Sequence, residues 1–221
     1  IGLWQTYVGE HVKVVELDSP AAALLEWQSS DLLRTASIGK LALLAATSEA
    51  IESGDVDADE LLTRNTAGYV ADSGIWQHLN VESLPVTDVA RLIGLVSDNW
   101  ATNTLLERVG GVASVRDSAR RFALRDLELY DRVRDARTSE HPATLSRSSA
   151  EGCIEFWRIM SSENVGRRGA RVLGWLRDGL DTSMVAARLG FDPLAHSEPS
   201  FGLSLVHKTG TDEGIRADTG V

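Results

Sequence analysis

With 221 residues, the chain can build one substantial core or two interleaved lobes. Its 43% hydrophobic and 24% charged residues are ordinary for a globular protein, and no run of about 18 apolar residues reads as a transmembrane helix. The net charge of −10 sets a field that disfavours nucleic acid and anionic membranes, so neither is expected as a partner.

Strands are expected first. Val12, Val14 and Leu17 form an apolar run that ends at the turn signal Asp18-Ser19-Pro20, and Ala22–Trp27 reads as the returning strand of a hairpin. From Ser37 to about Leu189 the periodicity is helical. Leu41, Leu44, Ala45, Ser48 and Ile51 fall on one face of a helix that Gly54 stops. A second helix starts at Asp88 with Val89, Leu92, Ile93 and Val96 as its stripe, and a third runs from Asn99 to Val109. Ser148 with Glu151 forms a capping box before Ile154 and Trp157. Further helices are expected near Gly169–Asp178 and Ser183–Leu189. Strand character returns at Phe201–Val206 and from Ile215. Joining the first and last strands into one antiparallel sheet gives an α/β (α+β) fold. Its sheet lobe comprises residues 1–34 and 200–221, and a helical lobe, 35–199, is inserted between them. The seam between lobes is the natural place for a cleft.

Cys153 is the single cysteine, so no intramolecular disulfide is expected, and the five histidines form no zinc-spaced cluster. No metal and no cofactor are expected. Lysine is rare: Lys13, Lys40 and Lys208 are the three in the chain. Two of them lie in short motifs that use a lysine. Ser37 and Lys40 are spaced to share a helix face, where the amine can take the hydroxyl proton and make serine a nucleophile. The same spacing also suits a helix-capping serine followed by a surface lysine. Ser97-Asp98-Asn99 falls between two helices. There Ser97 can relay a proton, and the Asn99 carboxamide can bond both a lysine and a substrate amide. Lys208-Thr209-Gly210 is expected at the end of a strand. Lysine and hydroxyl make a carboxylate anchor there, and the glycine leaves room for an extended substrate. A strand running into a glycine turn explains the same triplet without chemistry.

The three motifs together, in this order, resemble those of the class A β-lactamases among the penicillin-recognising serine hydrolases. The stretches SDNWATNTLLERVGG and RDARTSEHPATLS resemble further segments of that family, and the likeness runs from about Val12 to Val221. The resemblance implies a β-lactamase/transpeptidase-like fold, with the active site between the sheet and the helices. It implies Ser37 as nucleophile, Lys40 as its activator and Ser97 as the proton shuttle to the lactam nitrogen. Asn99 would position Lys40 and the substrate, and Lys208 and Thr209 would bind the substrate carboxylate. The backbone N–H groups of Ser37 and Thr211 would form the oxyanion hole. It also implies a small-molecule β-lactam or peptidoglycan-type peptide as substrate, a monomer, no cofactor, and export to the periplasm or medium, although no signal peptide is seen.

Two departures stand out. The family's E-x-x-L-N segment, whose glutamate activates the deacylating water, is missing from the short interval RDLELYDRVRDARTSEHP. Glu128 and Glu140 lie there in other contexts and read as solvated acids. Deacylation is therefore expected to be slow, which keeps open a D-Ala-D-Ala carboxypeptidase, an esterase, or a sensor that stays acylated. The family's long N-terminal helix and its last strand and helix also have no counterpart here. A leader removed before Ile1 and a truncated product are the expectations.

Overall fold

In the computed structural model, residues 2–6, 9–16, 23–195 and 202–221 are described. Three strands come first, β1 (Gly2–Thr6), β2 (Gly9–Val15) and β3 (Ala23–Trp27). The expected first strand is β2 and its return is β3. Leu17, the Asp18-Ser19-Pro20 turn and Ala22 lie outside the described residues. The strand at Gly2–Thr6 was not expected. Five residues carry little periodicity, and what fixes β1 is pairing on both edges: Trp4 lies opposite His11 of β2 and opposite Ala217 of the last strand.

Next, β4 (Leu33–Arg34) leads through a 3₁₀ turn at Ala36–Gly39 into α1 (Lys40–Ser53). β5 (Leu61–Thr63) and β6 (Ser83–Pro85) pair as a small ribbon. α2 (Val86–Val96), α3 (Asn99–Arg108) and α4 (Gly111–Arg121) follow. β7 (Leu127–Leu129) and β8 (Ser146–Ser148) join β4 in a three-stranded sheet ordered β4-β8-β7. α5 (Ala150–Ser161) and α6 (Arg167–Leu176) precede β9 (His207–Asp212) and β10 (Ile215–Gly220). The main sheet has the order β3-β2-β1-β10-β9, antiparallel throughout.

Several expected boundaries shift. The capping serine of α5 is Ser149, whose hydroxyl accepts from Gly152 N at 2.9 Å, whereas Ser148 belongs to β8. Two adjacent serines gave the pattern two registers, and the strand took the first. Glu151 leaves the cap and meets Lys13 instead. Ser183–Leu189 is a single 3₁₀ turn, Val185–Arg188. Of the strand expected at Phe201–Val206, Phe201 is outside the described residues and 202–206 form no strand. β9 starts at His207, so Lys208-Thr209-Gly210 lies within a strand rather than at the end of one.

α1 explains how the molecule is organised. Every residue from Lys40 to Ser48 is buried, so the helix has no solvent face over that stretch and the single-stripe reading is too narrow. It packs on α2, α3, α4, α6 and β7. α2 comes close enough to α6 that a Cβ at Gly94 would lie 1.9 Å from Trp175 O. α5 backs the main sheet, and the buried Trp157 Nε1 donates to Thr219 Oγ1 of β10 at 2.7 Å. A tryptophan lost to alanine in such a place costs about 3–5 kcal/mol.

Candidate active site

Ser37 sits on the 3₁₀ turn that feeds α1, half-buried, one residue after a strained backbone. Ala36 has φ +46°, a left-handed conformation that costs an L-residue about 1–2 kcal/mol. A clamp holds it. Ser146 Oγ of β8 donates to Ala36 O at 2.6 Å, Thr35 N donates to Ser146 O at 3.2 Å, and the Thr35 and Ser146 hydroxyls bond at 2.9 Å. On the far side, β9 presses against the turn. A Cβ at Gly210 would stand 2.4 Å from Thr35 O and 3.1 Å from Ile38 Cγ1. The glycine is therefore required by packing behind the strand, which is a different reason from room for a substrate.

Lys40, the first residue of α1, is fully buried. Its ammonium donates to Ser97 O at 2.7 Å, Asn99 Oδ1 at 2.7 Å and Ser97 Oγ at 3.2 Å. Three donors thus meet three acceptors, none of them Ser37 Oγ. Burial, followed by the charge of Lys208, pushes its pKa well below the usual lysine value, against the opposing pull of Asp98 and Asp72.

Ser97 caps α2 in the left-handed region, φ 57°, and this conformation turns the chain straight into α3. Lys208 Nζ donates to the same Ser97 Oγ at 2.9 Å and to Thr209 O at 2.8 Å. Because both lysines donate to the Ser97 oxygen, its own O–H is left to point elsewhere. Lys208 is buried, and burial brings its pKa down to about 8 although Asp181 and Asp218 favour the charged form.

Several residues with structural roles at the site were not picked out in the sequence. The Asp98 carboxylate caps α3 by accepting from Ala101 N at 2.9 Å, and it holds the preceding loop by accepting from Ile75 N at 2.8 Å and Trp76 N at 2.9 Å. Asn99 N donates to Ser73 O at 2.9 Å, which brings Ser73 into the site. Asn103, one turn along α3, grips the shortened loop: it accepts from Val133 N at 2.8 Å and donates to Val133 O at 3.0 Å. Within that loop, Asp131 accepts from the guanidiniums of Arg134 and Arg137 at 2.7 and 2.5 Å. Behind Lys208, His207 lies between two acceptors, with Nδ1 3.2 Å from Asp218 Oδ1 and Nε2 3.4 Å from Gly179 O. The spacing of a polar residue at a helix start was the available signal for Asp98. Asn103 and His207 had none, since their partners are remote in sequence.

These elements surround a cleft of about 510 Å³ lined by Ser37, Ser73, Ser97, Asn99, Lys208, Thr209 and Thr211, among others. Lys40 lies beneath it and Gly210 behind its wall. Two acidic residues, Asp72 and Asp181, are also among its lining. Glu128 and Glu140 are exposed and do not. Among the described residues no cluster of histidine, cysteine or carboxylate side chains could hold a metal ion, and no helix is long and apolar enough to cross a membrane.

Residues 3–221 match the family model described as the β-lactamase enzyme family. Among solved structures, a β-lactamase from Sphaerobacter thermophilus superposes with TM-score 0.73 at 21% identity, over 89% of this chain and 71% of that one. A variant of PBP-A in an acyl-enzyme complex with penicillin G gives 0.71 at 20% identity, over 99% of this chain and 79% of that one. A β-lactamase from Burkholderia vietnamiensis gives 0.71 at 15%, over 96% and 71%. At these identities the superpositions speak for a shared fold, and the family match covers almost the whole sequence: the chain belongs to the β-lactamase enzyme family, with a class A-like fold.

Proposed function

We propose that the protein is a serine hydrolase of β-lactamase type that opens β-lactam rings through an acyl-enzyme on Ser37. The observation that carries this reading is the convergence of Lys40 and Lys208 on one hydroxyl, Ser97 Oγ, in the cleft that Ser37 lines.

In the reaction, Ser37 Oγ attacks the lactam carbonyl and its proton passes to the neutral amine of Lys40. Burial supports that role, because it enlarges the neutral fraction of the lysine. To accept a proton the amine must give up one donated bond, and the 3.2 Å bond to Ser97 Oγ is the longest of the three. The carbonyl oxygen becomes an oxyanion, held by the N–H groups of Ser37 and Thr211. As the C–N bond breaks, Ser97 gives its hydroxyl proton to the departing nitrogen and is reprotonated by Lys40. Asn99 holds Lys40 through its Oδ1. The Lys208–Thr209 end receives the far side of the substrate.

Water must then cleave the ester. The loop that carries a glutamate in the family has none directed into this cleft, and a missing general base slows its step by about 10²–10⁴-fold. The acyl-enzyme is therefore long-lived. This favours, as the second reading, a D-Ala-D-Ala carboxypeptidase or esterase, or a sensor that remains acylated. The test is a pre-steady-state trace with a chromogenic cephalosporin, alongside Ser37→Ala. A burst of about one equivalent that is lost in the variant supports the acyl-enzyme. Steady turnover after it identifies a lactamase, and a stalled burst identifies the second reading. No burst from folded protein rules out Ser37 as the nucleophile for this substrate class.

A further inference from the structure

Gly179, Leu180 and Asp181 line the cleft from the loop between α6 and the 3₁₀ turn at Val185–Arg188. Both ends of that loop are tied to one buried pair, His207 of β9 and Asp218 of β10, which are 3% and 4% exposed. At the start of the loop, His207 Nε2 lies 3.4 Å from Gly179 O. At its end, Val185 N donates to Asp218 Oδ2 at 3.1 Å. The pair closes on itself, with His207 Nδ1 3.2 Å from Asp218 Oδ1. Between the ends, Leu180 N donates to Leu95 O of α2 at 2.9 Å. Packing crowds the ring: a Cβ at Gly220 would lie 2.6 Å from His207 Cβ, and one at Gly179 would lie 3.3 Å from Nε2. Both ring nitrogens thus face oxygens. A neutral imidazole has one N–H, so it bonds one oxygen and turns a lone pair on the other. The imidazolium donates to both, and its charge strengthens each bond. The other charged side chains on the surrounding elements are Lys208, held at Ser97 Oγ and Thr209 O, and Arg177, Asp178, Asp181, Arg188 and Arg216, all exposed.

We propose that His207 is a positioning residue: it docks the 179–185 loop as a wall of the cleft, more firmly when its ring is charged than when it is neutral. Acid therefore tightens this wall, and alkali leaves it tied by one bond fewer. The docking is independent of the chemistry at Ser37. Its effect on acylation rests on the acyl-enzyme reading above, because a looser wall misplaces substrate beside Lys208 and Thr209.

The experiment compares wild type with His207→Asn and His207→Gln, whose amide nitrogens stand in for Nδ1 and Nε2 respectively without titrating. Amide exchange of Leu180 and Val185 is followed by NMR across about pH 5–8, where histidines titrate in general. The Val133 amide, bonded to Asn103 Oδ1, is the remote control. Second-order acylation by a chromogenic cephalosporin is measured over the same range, with Ser37 labelling by intact mass and folding by thermal melts. In wild type, protection of Leu180 and Val185 relative to Val133 is expected to rise about five- to tenfold towards acid, the scale of one net hydrogen bond. In both variants it is expected to stay flat. The ratio of wild-type to variant acylation should fall from about five- to tenfold in acid to within about twofold at pH 8, since the lysine titrations are common to all three proteins. A wild-type loop whose relative protection ignores pH overturns the inference, as do variants that respond like wild type. A pH-sensitive loop with an acylation ratio constant across pH also overturns it. If the loop responds as expected but no folded protein labels Ser37, the docking role stands and the acyl-enzyme reading falls.

Discussion

Lys40 and Lys208 come from opposite ends of the chain and donate to the same oxygen, Ser97 Oγ, at 3.2 and 2.9 Å. Two buried ammonium groups on one hydroxyl repel each other, and the charge of Lys208 makes it easier for Lys40, already lowered by burial, to lose its proton. Ser97 Oγ is the acceptor that the two share. Ser97→Ala is expected to lower the acylation rate by about 10²–10⁴-fold, the range for losing a positioned proton donor. Binding of the unreacted substrate should change far less. Separate determination of the acylation rate constant and the pre-acylation dissociation constant checks this.

The pH profile of acylation follows from the same pair. In the proposed reaction Lys40 acts as a base only when neutral, so acylation is expected to rise as pH climbs through its lowered pKa. On the same proposal Lys208 binds substrate while charged, and that role is expected to be lost as pH rises through about 8. A bell-shaped dependence of second-order acylation is expected, with the descending limb near pH 8. Lys208→Arg stays charged and is expected to move that limb to higher pH.

Lysine burial also has a cost in stability. The pKa of Lys208 falls from 10.5 in the unfolded chain to about 8 when folded. Between those values the unfolded state binds more protons, so stability rises with pH across that window, and below about pH 8 the penalty is fully present. Lys208→Met is expected to stabilise the protein against urea by about 1–3 kcal/mol at pH 7 while weakening substrate capture. Urea titrations of both proteins at pH 7 and pH 10 check the sign, since their difference should shrink at the higher pH.

Gly210 is a point of close approach between β9 and the turn that carries Ser37. Gly210→Ala drives a Cβ to 2.4 Å from Thr35 O, and no side-chain rotation relieves a backbone contact. A destabilisation of about 1–3 kcal/mol is expected, as for overpacking elsewhere. Acylation should fall too, because the turn that moves carries Ser37. Denaturation and burst amplitude, measured on the same preparation, report the two effects.

The Asp131 carboxylate holds two guanidiniums in the shortened loop. It is largely buried and the arginines are partly exposed, so Asp131→Asn is expected to cost about 1–3 kcal/mol, less than a fully buried pair would. Proteolysis should then begin within the loop near Arg132–Arg137.

Helices with a strong stripe, such as α2, were legible from spacing alone, to within two residues at their starts. So were the three motifs, because each holds its chemistry within four residues. What stayed hidden depends on contacts between remote segments. The clamp of Ser146 on Ala36, the grip of Asn103 on Val133 and the reach of Lys208 to Ser97 have no local signature. The all-round burial of α1 was missed for a related reason. Its alanines and short polar residues look like a solvent face until α4 and α6 cover them.

The pairing of β1 with β10, and the press of β9 against the turn, also bear on when the protein becomes reactive. Ser37 and Lys40 are made before the strand that supplies Lys208 and the packing surface of Gly210, and Lys208 follows Lys40 by 168 residues. Contacts of such high sequence separation form late, after the costly closure of long loops. A nascent chain with its helices already folded would still lack one wall of the cleft and one of the two cations on Ser97. In the proposed mechanism, reactivity at Ser37 therefore waits on completion of the sheet, because Lys208 and the packing surface of Gly210 arrive only with its last strands.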